Sequence, residues 1–158
     1  MSEDTVIIMD EFQVDFDLEA SAAKMGGRKS DRVAKILSTL AVEAKAVARP
    51  MAAAKMSSVT LISDEESRLG GTVFKSGLLR EKLERLGRAF PFLATEGREL
   101  SQWSRGFGGS ERIFANALEK EALYQVRDRL EETIVESYGL KMISAMNPGS
   151  LRVWPIME

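Results

Sequence analysis

Apolar residues recur along this chain with two periods, and the switches between the periods outline its elements. Residues 5–9 (Thr-Val-Ile-Ile-Met) form a short β-favouring run, and Phe12, Val14 and Phe16 then alternate with Gln13 and Asp15. Asp17 offers an N-cap to a short helix over 18–25, which Gly26-Gly27 would end. From Ser30 or Asp31 the period becomes helical: Val33, Ile36, Leu37, Leu40, Ala44 and Val47 share one stripe, and Pro50 stops it. Residues 51–55 can extend into a strand, and residues 55–62 form a clearer one. The polar run 64–71 ends in Gly-Gly before the apolar 72–74, which predicts a hairpin with a loop longer than two residues. Ser76 opens a helix to about Leu86, with Leu79, Leu83 and Leu86 inward and Gly87 at its end. Residues 88–95 then read as a buried strand, with Pro91 requiring an edge or a bulge.

The second half is mostly helical. Residues 96–107 carry Leu100 and Trp103 one turn apart, and Thr95 stands where it can cap. Gly106, Gly108 and Gly109 predict a hinge, since the run lacks the rest of either glycine-rich phosphate-loop pattern. The longest helix covers residues 110–138, with Phe114, Ala117, Leu118, Tyr124, Leu130, Ile134 and Tyr138 inward. Its charges, Glu119 among them, read as a solvated face, and Gly139 as its C-cap. Residues 140–145 alternate and predict a strand leading into a last segment, Met146 to Glu158. There Pro148-Gly149 makes a turn and Trp154-Pro155 sets an aromatic beside a second rigid backbone point. The expected fold class is α+β: one domain over residues 1–158, an antiparallel sheet with packed helices, one of them long.

Composition narrows the chemistry. The chain has 158 residues, 44% hydrophobic and 29% charged, ordinary proportions for a globular domain. A net charge of −2 argues against nucleic acid as the main partner. No apolar run is long enough to span a membrane, and the start Met-Ser-Glu-Asp does not resemble a signal peptide, so a cytoplasmic protein is expected. The chain contains no Cys and no His, which removes thiolate chemistry, the commonest general base and the commonest transition-metal ligand. The acidic residues Asp10, Glu11, Asp15, Asp17 and Glu19 lack a calcium-loop pattern and read as solvated charge.

The segment Asn147-Pro148-Gly149-Ser150 followed by Trp154-Pro155-Ile156 resembles the Pro-Gly-Tyr/Ser-x-x-x-Trp-Pro segment of proteins similar to the activation domain of vitamin B12-dependent methionine synthase. Ala48-Arg49-Pro50 and residues 92–95 (Phe-Leu-Ala-Thr) are similar to further family segments, and the order of elements agrees from about Asp15 to Glu158. The resemblance implies an accessory protein that reactivates a cobalamin-dependent methyl-transfer system. It implies docking to a corrinoid-binding protein, cobalamin carried only by that partner, and S-adenosylmethionine bound at Pro148, Gly149, Ser150 and Trp154. It also implies a further helix and strands beyond Glu158, so the sheet is expected to be incomplete, with an exposed edge that could pair with a second copy. In the family's Arg-x-x-x-Gly-Tyr pattern, Ala145 stands at the Arg position and Ser150 at the Tyr position. An Arg would hold a carboxylate in bidentate fashion, and a Tyr would supply a stacking face. Two other readings stay open: a non-catalytic interaction or regulatory module on the same fold, and an unrelated α+β enzyme using carboxylates. No close carboxylate pair at a predicted strand end speaks for the last.

Overall fold

The computed structural model describes residues 5–10, 12–17 and 31–149. The expected short helix over 18–25 lies outside them. In chain order the elements are β1 Val6–Met9, α1 Asp31–Val47, β2 Met51–Lys55, β3 Ser57–Leu61, β4 Glu66–Leu69, β5 Thr72–Lys75, α2 Gly77–Leu83, β6 Arg88–Ala89, β7 Phe92–Thr95, α3 Arg98–Arg105 and α4 Gly109–Tyr138. The chain is thus mixed α and β, with antiparallel pairing and a long helix late in the sequence. Its strands fall into two sheets, not the single sheet expected, ordered β1-β2-β7 and β5-β4-β3-β6. The chain divides into two compact units, one built from 1–7, 54–92 and 133–158, the other from 8–53 and 93–132.

The first, the sheet unit, holds the four-stranded sheet, whose neighbours are all antiparallel. Residues 66–69, expected in a loop, form β4, so there are two hairpins in place of one long-looped hairpin. The β4–β5 turn is tight: Leu69 faces Thr72 with Gly70-Gly71 between them, and Gly70 takes φ +60. The strand was hidden because its buried positions are Ser67 and Leu69, so only one of the two inward side chains is apolar.

Helix α2 starts on Ser76, whose Oγ accepts from the Leu79 N–H at 3.2 Å. Leu79 and Leu83 are buried with Leu69, and Val59, Phe74, Ala89 and Met146 pack around them. The helix ends at Leu83, earlier than expected. The Leu86 N–H closes back onto the Leu83 carbonyl, and Leu86 is 52% exposed, not inward.

Pro91 cannot donate to a ladder, and the expected buried strand over 88–95 breaks there. Its first part, β6, pairs with β3, while its second, β7, joins β2 in the other sheet. The Pro91 carbonyl still accepts from the Lys55 N–H at 3.2 Å. Leu93 on β7 is 79% exposed, so this segment is not a buried strand.

The second, the helix unit, is organised by side chains from α1, α3 and the first turns of α4. Leu40, Ala44, Leu100, Leu118 and Ala122 form its buried centre with Val14. Phe12 and Phe16 pack on the same core, so the alternation of residues 12–16 is real although they form no strand. The Gln125 amide takes the place of a neighbouring strand: its Oε1 accepts from the Asp15 N–H at 2.9 Å, and its Nε2 donates to the Asp15 carbonyl at 2.6 Å. The stripe of α4 includes Ala115, Leu118, Ala122 and Val126, all fully buried. Tyr124 is half-exposed, against expectation. It lies two residues past Ala122, about 200° around the helix, and carries the Arg127 guanidinium over its ring.

Candidate functional site

The C-terminal turn begins with the end of α4. Gly139 takes φ +61, and the Leu140 N–H reaches back to the Val135 carbonyl at 3.0 Å, the six-to-one bond of a glycine-terminated helix. Residues 140–145 then run without strand pairing, which corrects the strand expected there. Met142 is 81% exposed, and no neighbouring strand completes a ladder for this stretch among the described residues. Met146 turns back into the leucine cluster of the sheet unit. Asn147, Pro148 and Gly149 follow as an exposed turn, with Gly149 at φ +79. Proline followed by a positive-φ glycine is the arrangement of a type II turn. The turn is therefore anchored by Met146 and presented outward. Ser150 and Trp154 lie outside the described residues.

Among residues 145–149 no side chain is cationic. Ala145 is exposed and offers only a methyl group where a guanidinium would hold the carboxylate of S-adenosylmethionine. Pro148 and Gly149 contribute no side-chain donor.

A second polar constellation lies in the helix unit, where β7 passes through Gly97 into α3. Gly97 takes φ +100, and its N–H donates to the Thr95 Oγ1 at 3.1 Å. The N-cap of α3 is thus Gly97, without a side-chain cap, while Thr95 serves the backbone just ahead of it. Glu119 of α4 accepts from two hydroxyls of α3, Ser101 Oγ at 2.8 Å and Ser104 Oγ at 2.5 Å, one on each carboxylate oxygen. Ser104 is fully buried, and its carbonyl accepts from Arg112 Nη1 at 2.6 Å. Glu96 follows directly on β7. Burial first, and then the neighbouring Glu119, hold its carboxyl above the usual glutamate range, partly offset by a bond from its own backbone. A cleft of about 360 Å³ opens here, lined by residues including Glu96, Ser101, Arg98 and Arg105.

The sequence did not reveal that Glu119 of α4 stands near enough to Glu96, the residue after β7, to act on its carboxyl. By sequence alone Glu119 counts as a solvated helix charge. The available signal was its position: four residues past Ala115 and beside Leu118, on the margin of the buried stripe, with Ser101 and Ser104 at one-turn spacing on α3. Among the described residues no group of three or more Asp, Glu, His or Cys could hold a metal ion.

A larger cleft of about 580 Å³ in the helix unit is lined by residues including Val14, Ala48, Pro50, Asp10, Lys45 and Arg49. Lys45 is engaged there with Asp15 at 3.1 Å, and one Arg49 nitrogen, Nη1, donates to the Ala46 and Ala48 carbonyls. Among the described residues, no helix is long and apolar enough to cross a membrane. Compared with known proteins, the chain matches no family model, no curated protein and no solved structure.

Proposed function

We propose that this chain is an accessory protein of cobalamin-dependent methyl transfer, similar to a free-standing methionine synthase activation domain, which docks on a corrinoid-binding protein through its C-terminal segment. The observation that carries this reading is the anchored turn. Met146 is held in a leucine cluster, and the Pro148-Gly149 turn that follows is exposed and sterically restricted. A segment so tied down and presented suits recognition, because little conformational freedom remains to be lost on docking. The absence of Cys and His fits a protein whose chemistry resides in a partner's cofactor.

In the finer form of the reading, the same segment also binds S-adenosylmethionine, with Trp154 facing the sulfonium. The exposed Ala145, in place of a carboxylate-holding arginine, favours the alternative of a non-catalytic interaction module. Isothermal titration calorimetry with S-adenosylmethionine, repeated on Trp154→Ala, separates the two. Saturable heat that weakens in the variant supports the cofactor-binding form; no heat up to millimolar ligand removes the cofactor from this chain. A cobalamin-loaded corrinoid protein, titrated while its corrin absorption is followed, tests the docking itself. No binding to any such protein would overturn the proposal.

A further inference from the structure

We propose that the larger cleft of the helix unit binds an α-amino acid with an apolar side chain: Arg49 takes the carboxylate, Asp10 takes the ammonium, and the side chain lies against Val14, Ala48 and Pro50. The proposal uses none of the C-terminal segment and does not depend on the functional reading above.

The cleft is preformed. Its volume, about 580 Å³, is in the range of pockets that bind small molecules. Two of its lining side chains, Val14 and Ala48, are 2% and 6% exposed and belong to the buried centre of the unit, so the apolar surface is fixed by the core. The backbone around them is tied down as well. The Gln125 amide holds Asp15, and the Arg49 N–H donates to the Glu96 carbonyl at 3.2 Å. Gly97 comes so close to Arg49 that an added Cβ would stand 2.7 Å from the Arg49 carbonyl oxygen. A site built in advance loses little freedom when a ligand arrives.

The charges decide the ligand. Arg49 Nη1 donates to the Ala46 and Ala48 carbonyls at the end of α1, at 3.0 Å and 2.7 Å. Those bonds orient the guanidinium through a single nitrogen. Among the described residues, its Nε and Nη2 have no partner. They form the edge of the fork that takes both oxygens of a carboxylate. Lys45, also in the lining, is engaged by Asp15 at 3.1 Å. Asp10 is exposed in the same lining, and among the described residues no ion pair joins it to Arg49 or to any other cation. An unpaired guanidinium, an unpaired carboxylate and an apolar surface in one cleft match the three parts of an apolar amino acid. A plain carboxylic acid would satisfy Arg49 but put a second negative charge in the cleft with Asp10. A plain amine would satisfy Asp10 and leave the Arg49 fork empty. A cap on the end of α1 needs only Nη1, so that role does not use up the other donors.

The test is calorimetric titration of the full chain with L-phenylalanine and with two probes that each lack one charge, hydrocinnamate (no ammonium) and phenethylamine (no carboxylate), each mapped by amide NMR. L-phenylalanine should bind at least about ten-fold more tightly than either probe, with shifts at the Val14, Ala48 and Met51 amides. Asp10→Asn should erase its advantage over hydrocinnamate and keep its advantage over phenethylamine; Arg49→Gln should do the reverse. If Arg49→Gln does not fold, Arg49→Lys keeps a cation at the end of α1. It should still weaken L-phenylalanine about ten-fold, because an ammonium grips at one point where the fork grips at two. Equal affinity for the three compounds, shifts confined to other amides, or no saturable binding of L-phenylalanine or the smaller L-leucine at millimolar concentration would overturn the site.

Discussion

The two units reach burial by different routes. In the helix unit, Ala44, Leu100, Leu118 and Ala122 are completely buried, because three helices each turn a stripe toward one centre and small residues let them approach. In the sheet unit the corresponding centre is three leucines, Leu69, Leu79 and Leu83, each with residual exposure of 4–8%, under a helix of seven residues. A short antiparallel meander with one small helix has fewer side chains to bring against any one point. The helix unit should therefore be sensitive at single core positions and at close backbone approaches. The sheet unit should be sensitive chiefly at the devices that start and stop its elements.

The strongest contrast is expected from core truncation. Leu118→Ala should cost about 4 kcal/mol in urea unfolding, while Leu83→Ala should cost about 2.5 kcal/mol, since its surroundings can relax or admit water. Equal losses would mean that the units are packed alike. Next comes a glycine pair. At Gly97, with φ +100, an added Cβ would lie 2.7 Å from the Arg49 carbonyl oxygen, so Gly97→Ala should lower stability by about 3 kcal/mol. An added Cβ at Gly71 meets nothing within 4 Å, and Gly71→Ala should shift the unfolding midpoint by less than about 0.5 kcal/mol equivalent.

Smaller still is the loss of the α2 cap. Ser76→Ala should cost about 1 kcal/mol and be visible as weakened protection of the Leu79 amide. The smallest effect tests one of the sheet unit's three buried polar atoms without a partner among the described residues, the others being Arg80 Nε and Tyr138 Oη. The Ser67 hydroxyl is fully buried without a hydrogen-bond partner, so Ser67→Ala should be neutral or raise thermal stability by up to about 1 kcal/mol. A clear loss there would reveal a partner for the hydroxyl.

Much of the helix unit was legible because its signal is periodic and long. The stripe of α1 from Val33 to Val47 and the limits of α4, from the glycine hinge to Gly139, agree with the sequence reading. The sheet unit was less legible. Its strands are two to five residues long, too short for alternation to be distinctive, and β4 carries one of its two inward positions on Ser67. The site most heavily weighted from sequence, Pro148 to Trp154, is described only as far as the Pro148-Gly149 turn. The place of Glu119 on the margin of the α4 stripe was legible, but its nearness to Glu96 was not, because the two residues are 23 positions apart.

By itself, the sequence determined the local elements whose causes are local: helical stripes, the Ser76 cap, the glycine terminator of α4, and the chemistry excluded by lacking Cys and His. The tertiary structure decided where the chain changes sheets at Pro91, which polar residues are buried, and which distant carboxylates stand near each other. These outcomes depend on the proximity of groups far apart in the chain. A periodic pattern records which face of an element is apolar, but not which other element will cover it.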